Sequence, residues 1–173
     1  GRTVSLGMIR ELGPVITGLL LAARTGAKNT SEIGAMVLSE QVDALRAFGT
    51  SPNAKLAIPR TIAAVVMFPP LTMIADAAGL FGGLFISTSN FNVDMSFYWD
   101  SALTSLLMKD LFVGFVKPII FGFFVATISC FYGMNTKEGT AGLGRNTVNA
   151  VVLSSMIILV LDFVFTKVVW EVM

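Results

Sequence analysis

Four long apolar runs, separated by short polar stretches, leave this chain few folds to choose from. They cover about Val4 to Ala23, Ala57 to Thr88, Asp110 to Met134 and Thr147 to Val169. As a helix, each is long enough to cross a hydrocarbon core of ~30 Å, which takes roughly 20 residues. Inside a bilayer every backbone N–H and C=O must find its partner within the protein, so runs of this length read as helices. The expected fold is therefore all-α: residues 1–173 form a single transmembrane domain, a polytopic helical membrane protein with four spans. Composition points the same way. Hydrophobic residues make up 54% and charged residues 13%, and the mean hydropathy is +0.78, whereas a soluble domain is roughly 45–50% apolar.

Several function classes fall away early. A net charge of +1 gives no basic excess for nucleic acid, and the single cysteine, Cys130, has no partner for an internal disulfide. With no histidine in the chain, a His-based triad, the usual zinc sites and an imidazole relay are all excluded. The glycine-rich Gly139 to Arg145, GTAGLGR, is no phosphate loop, because a Walker A loop ends in Gly-Lys-Ser/Thr after a buried strand. It is expected to be a flexible turn. We therefore expect no catalytic residue, metal or cofactor in this chain; any ATP is bound and hydrolysed by a partner. The chain begins at Gly1 with neither a basic n-region nor a small-residue cleavage site, so an upstream segment is expected.

The informative residues are the charges placed where apolar ones belong. Arg10 and Glu11 sit side by side in the first run. At mid-bilayer a charge costs on the order of 2.5–3.5 kcal/mol, so both should face a protein interior or a wet cavity, or compensate each other or a partner helix. Pro14 follows Gly13 and should open the helix there, leaving backbone carbonyls free. In the third run Lys117 likewise adjoins Pro118. The second run is interrupted by Pro59, Pro69 and Pro70. Its Gly79 and Gly83 form a G-x-x-x-G patch for close helix packing. Its one charge, Asp76, reads as a hydrogen-bonded structural carboxylate. Asp76, Asp110 and Asp162 could in principle pair as an intramembrane aspartyl protease, but nothing in their local sequence favours that. A secondary transporter or a non-transporting membrane scaffold is the alternative reading, although no internal repeat supports the first.

The largest polar segment, Arg24 to Arg60, carries Arg24, Lys28, Arg46, Lys55 and Arg60 beside Glu32, Glu40 and Asp43. Leu38, Val42, Leu45 and Phe48 define an apolar stripe opposite Glu40, Asp43 and Arg46. Residues 31–48 thus read as one short amphipathic helix, with Thr30 or Ser31 capping its start and Gly49 its end. Two uses stay open: receiving force from a cytoplasmic motor, or lying on lipid headgroups. Basic residues number five in 24–60 and two in 133–145 (Lys137, Arg145), against one (Lys109) in 87–109. The positive-inside rule then makes the first and third connections cytoplasmic. The connection 89–109 is expected on the outer side, with Phe97, Tyr98 and Trp99 at headgroup level, and Trp170 as a second interface anchor.

Arg10-Glu11-Leu12-Gly13-Pro14, Ala23-Arg24-Thr25-Gly26, Ser31-Glu32-Ile33-Gly34-Ala35-Met36, Glu40-Gln41-Val42-Asp43-Ala44-Leu45 and Ile58-Pro59-Arg60 occur in one order. Together they strongly resemble the MlaE/YrbE family of ABC transporter permeases. Gly79 to Gly83, Gly139 to Arg145 and Leu161-Asp162-Phe163 are similar too, so the resemblance covers the whole chain; Asn146 stands where alanine is common. The resemblance implies a homodimeric permease that moves phospholipid or a related lipid between the bacterial inner membrane and the outer envelope. It also implies a cytoplasmic ABC ATPase, an MCE-domain lipid-binding protein outside and a small STAS-domain protein as partners. The family has an amphipathic helix and a further span before the Arg-Glu-Leu-Gly-Pro motif, neither of which is in this sequence. Carried onto this chain, residues 31–48 resemble the coupling helix that docks on the ATPase, through Glu32, Met36, Glu40, Asp43, Leu45 and Arg46. Arg10, Glu11 and Lys117 are similar to polar positions around the lipid cavity, with Asp110 joining them. Arg10 and Lys117 are then expected to hold a lipid phosphate while Glu11 orients the arginine.

Overall fold

The computed structural model describes the backbone of residues 2–91, 93–105 and 108–172. Their side chains are described as well, except at 2, 4, 90, 91, 105, 108–111, 169, 170 and 172. Every regular element among the described residues is helical, and four stretches are long and apolar enough to cross a membrane: Ser5–Leu38, Asn53–Ser89, Phe112–Met134 and Gly139–Val168.

The first span is a composite. Helix α1 (Arg2–Gly7) passes into a π-helical turn, Met8–Leu12, then α2 (Gly13–Leu21), a second π-helical turn, Ala22–Gly26, and α3 (Ala27–Leu38). Pro14 sits at the start of α2 and has no N–H, and Gly13 N–H bonds back to Met8 O, so the wide turn forms where the sequence asks for an opening. Beyond α2 the chain departs from expectation. Residues 24–38 do not leave the membrane helix for a loop but prolong it. Thr30 and Ser31 therefore cap nothing: Thr30 is buried, with Oγ1 3.0 Å from both Gly26 O and Ser129 O, its one proton shared between them.

The expected single helix over 31–48 is in fact two. It breaks at Ser39 and Glu40, where Glu40 has φ 59°, and resumes as α4 (Gln41–Ala47). A left-handed residue cannot continue a right-handed helix, so α3 and α4 are separate elements that meet at a corner instead of one straight amphipathic helix. Gly49, at φ 73°, closes α4 as anticipated.

A π-helical turn, Asn53–Ala57, leads into α5 (Ile58–Phe91). Pro69 and Pro70 lie inside α5 without dividing it, contrary to the expected interruption. Helix α6 (Met95–Ser105) runs beside α1, and α7 (Met108–Met134) and α8 (Gly139–Val172) complete the bundle. Gly139 to Arg145 is not a flexible turn; it forms the first turns of α8, entered through left-handed Glu138 and Gly139.

Helix α7 is central, packed against α3, α5 and α8. Ala22, Ala64, Phe68, Phe121, Val125, Ala126 and Ile158 form the core where the four spans converge. Lipid is as apolar as leucine, so tight contact rather than hydrophobic exclusion holds such a core, and small residues allow it. At Gly122 an added Cβ would stand 2.9 Å from Ala64 O and 3.0 Å from the Phe68 ring. Gly79, predicted for packing, lies against Met8 of the first span of the same chain, and Gly83 is half-buried four residues on. Tyr98 is buried instead of resting at an interface, its O–H donating to Leu80 O at 3.1 Å, while Trp99 meets Phe81 edge-on at 5.8 Å. Trp170, the other expected anchor, lies outside the described side chains.

Candidate functional site

Opening a helix at Pro14 removes the N–H that would have bonded Arg10 O. The structure supplies a replacement from another span: Lys117 Nζ donates to Arg10 O at 3.0 Å. The same ammonium donates to Glu11 Oε2 at 3.0 Å, to Asp162 Oδ1 at 2.8 Å and to Thr166 Oγ1 at 3.1 Å. Thr166 in turn donates to the Glu11 carboxylate at 3.1 to 3.2 Å. Four acceptors therefore surround three N–H bonds on a side chain with 0% exposure. The ammonium ties the first, third and fourth spans together at one point.

This arrangement changes the role expected for Lys117. As a ligand for lipid phosphate it needs free protons and an open face, and the structure commits both to the protein. Glu11 is likewise turned to Lys117 and Thr166 as well as following Arg10 in sequence. Arg10 itself is half-buried, and its backbone carbonyl belongs to the lysine cluster. The side chain of Asp110, grouped with them on resemblance, lies outside the described residues. Sequence reasoning missed Asp162 and Thr166 as members. A signal existed for Asp162, an acid deep in one apolar span set against a lone lysine in another, and Thr166 lies four residues on, on the same helical face.

The second group sits at the other end of the bundle. Asp43 and Arg46 pair across one turn of α4 at 2.9 Å, both exposed, and Glu40 projects from the corner before them. Met36, Val42, Leu45, Phe48 and Leu56 line a notch of about 340 Å³ beside α4. Of the predicted stripe only Val42 is buried; Phe48 is 85% exposed. The structure does not bring Glu32 to this face. Its carboxylate is held by Arg60 at 2.8 Å, with Lys28 at 3.6 Å, and Arg60 also donates to buried Asn29 at 3.0 Å. Glu32 and Arg60 thereby strap α3 to the start of α5, behind the corner that carries α4.

Asp76 departs from expectation as well. It is buried in the middle of α5, yet its Oδ1 has no hydrogen-bond partner.

A bundle of four spans, cross-tied by one buried lysine and carrying a short exposed helix after the left-handed turn at Glu40, defines a polytopic helical membrane protein. The chain belongs to the MlaE permease family, whose profile, described as Permease MlaE, matches residues 1–168. It is 40% identical over 169 residues to a probable ABC transporter permease protein of Rickettsia typhi, covering 98% of this chain and 65% of that one. Identity is 33% over 171 residues to the intermembrane phospholipid transport system permease protein MlaE of Haemophilus influenzae, covering 98% of this chain and 66% of that protein. It is 35% over 167 residues to the chloroplastic protein trigalactosyldiacylglycerol 1 of Arabidopsis thaliana, covering 96% and 48%. The chain thus spans about two thirds or less of the length of these curated relatives.

Proposed function

We propose that this chain is the membrane-embedded part of an ABC permease that moves phospholipid or a related lipid between the bacterial inner membrane and the outer envelope. A separate cytoplasmic ATPase drives it. The observation that carries this reading is α4. A seven-residue helix, held at a fixed corner by left-handed Glu40 and Gly49, presents exposed Glu40, Asp43, Arg46 and Phe48 beside an apolar notch. A helix that merely rests on headgroups buries its apolar face in the bilayer and needs no rigid corner. One that transmits force does. Strapping by Arg60 and Glu32 fixes α3 to α5, so displacement of α4 is delivered to two spans at once.

In this reading ATP binding draws the α4 helices of two copies together, and the spans re-pack about the Lys117 cluster. Lys117, Glu11, Asp162 and Thr166 position the spans around the lipid path, Arg10 stands at its polar wall, and acyl chains are received by apolar side chains. The homodimer, an outer MCE-domain lipid-binding protein and a STAS-domain protein are proposed partners on the family resemblance. The Haemophilus influenzae and Arabidopsis thaliana relatives support a lipid cargo through their names.

Replacing Glu40 and Asp43 together with lysine tests the coupling assignment. Co-purification of the ATPase and ATP-dependent lipid movement should both be lost while the permease still folds. Unchanged co-purification and transport would remove α4 from the mechanism.

A further inference from the structure

The connection between α7 and α8 folds back tightly at the end of the bundle that carries α4. Gly34, near the end of α3, packs there against Leu143 and Thr136. Left-handed Glu138 and Gly139 reverse the chain, and Lys137 O lies against Gly142, which has no room for a Cβ. Asn146 fastens the reversal from α8, its Nδ2 donating toward Tyr132 O at 3.3 Å, Asn135 O at 3.4 Å and Thr136 Oγ1 at 3.5 Å.

On this reversal sits a pocket of about 260 Å³ in which every lining residue but Gly142 carries a charge or an amide. Lys137 and Arg145 set against Glu138 leave it one net positive charge, and Asn135, Asn146 and Asn149 supply the amides. The side chains of Lys137, Glu138, Arg145 and Asn149 are exposed and have no hydrogen bond or ion pair among the described residues. Two unpaired cations on one small pocket repel each other and attract an anion.

The kind of anion follows from where the pocket lies. Helix α7 leaves the span Phe112–Met134 here and α8 enters the span Gly139–Val168, so the reversal stands at the level of the lipid headgroups. The helix faces that bear the pocket continue toward the bilayer in exposed apolar side chains: Phe131, four residues before Asn135, and Val152 and Leu153, three and four residues after Asn149. A polar cup above an apolar track matches an amphiphile better than a soluble anion or an acidic protein surface.

We propose that this pocket binds the phosphodiester head of an anionic phospholipid. Lys137 and Arg145 hold the phosphate, the free Asn149 amide bonds the rest of the headgroup, and the acyl chains run along Phe131, Val152 and Leu153. One net positive charge matches the single negative charge of a phosphodiester; a phosphomonoester carries close to two. A choline headgroup cancels its own charge and has no N–H or O–H for the amides. The site stands about 27 Å along α7 from Lys117, at 1.5 Å per residue, and does not rest on the lipid-transport reading.

The test uses the purified full-length protein in nanodiscs of equal phosphatidylglycerol and phosphatidylcholine with identical acyl chains. Native mass spectrometry after extraction measures the ratio of the two lipids retained. The wild type should favour phosphatidylglycerol by roughly fivefold, the scale of one net cation facing an anionic headgroup. Lys137→Gln with Arg145→Gln should bring the ratio to one or below, and Glu138→Gln should raise it. Asn149→Leu leaves every charge in place and should still lower it. Millimolar inorganic phosphate should leave the wild-type ratio unchanged. A wild-type ratio near one, or one that none of the variants alters, would overturn the site. A ratio that follows the charges but ignores Asn149→Leu would replace the pocket by a diffuse basic surface, and displacement of the lipid by phosphate would replace the lipid by a soluble anion. Loss of ATPase co-purification in the Lys137→Gln, Arg145→Gln variant at an unchanged lipid ratio would give the pocket to an acidic partner instead.

Discussion

Lys117→Met offers the sharpest test of the structural reading, because it removes one charge and strands two. The ammonium lies 3.0 Å from Glu11 and 2.8 Å from Asp162, with its own side chain at 0% exposure. At an effective dielectric constant of about 20, each contact carries roughly 5–6 kcal/mol of attraction, opposed by several kcal/mol of desolvation per ion. The cluster is thus no great net stabiliser, but breaking it from one side leaves carboxylates buried without a partner. That typically costs about 3–5 kcal/mol, and the partial exposure of Glu11 places this case toward the lower end. Lys117→Met should therefore shift the unfolding equilibrium by roughly two to three decades. Combining it with Glu11→Gln and Asp162→Asn removes the stranded charges and should recover more than half of the loss. Reversible unfolding in mixed detergent micelles, followed by tryptophan fluorescence, measures both. A single variant within about 1 kcal/mol of wild type, or a triple variant no better than the single, would refute the reasoning.

Other expectations are simpler. Gly122→Ala should destabilise the bundle by about 1–3 kcal/mol in the same unfolding assay, because its Cβ meets the Ala64 carbonyl. Gly82→Ala, with nothing within 4 Å, should be neutral or stabilise by up to ~1 kcal/mol through helix propensity. Burial pushes the Tyr98 phenol above its usual value. A raised folded pKa means that the stability from neutral Tyr98 is complete below about pH 10 and is lost as pH climbs through the folded value. Trp99 emission should report α6 detaching in that alkaline window, and Tyr98→Phe should flatten the response. Arg60→Gln should break the ion pair that joins Glu32 to α5, leaving Glu32 with Lys28 of its own helix, and loosen α3 from α5, read as faster hydrogen exchange at the start of α5.

The four spans and the helical class were legible because apolar runs of this length have one solution in a bilayer, and local chemistry needs no distant contact to act. Pro14 is the clearest case. A residue without an N–H must free a carbonyl, and the wide turn before it is where the sequence puts it. Left-handed Gly49 was legible for the same reason. Residues 31–48, by contrast, could not be divided from periodicity, because the left-handed turn at Glu40 falls on a non-glycine residue that carries no turn signal in the sequence. Gly139 to Arg145 misled in the opposite direction: glycines that look like a turn form the first turns of α8.

By itself, then, the sequence determined where the helices run, where they open and which charges they carry into the apolar interior. Tertiary structure alone decided who answers those charges. It turned Lys117 from a ligand for lipid into the tie between three spans, set Glu32 on Arg60 instead of on the α4 face, and left Asp76 without a donor on one oxygen. The physical reason is range. Backbone opening depends on neighbours along the chain, whereas an ion finds its partner across 45 or 106 residues of sequence, as Lys117 does with Asp162 and Glu11.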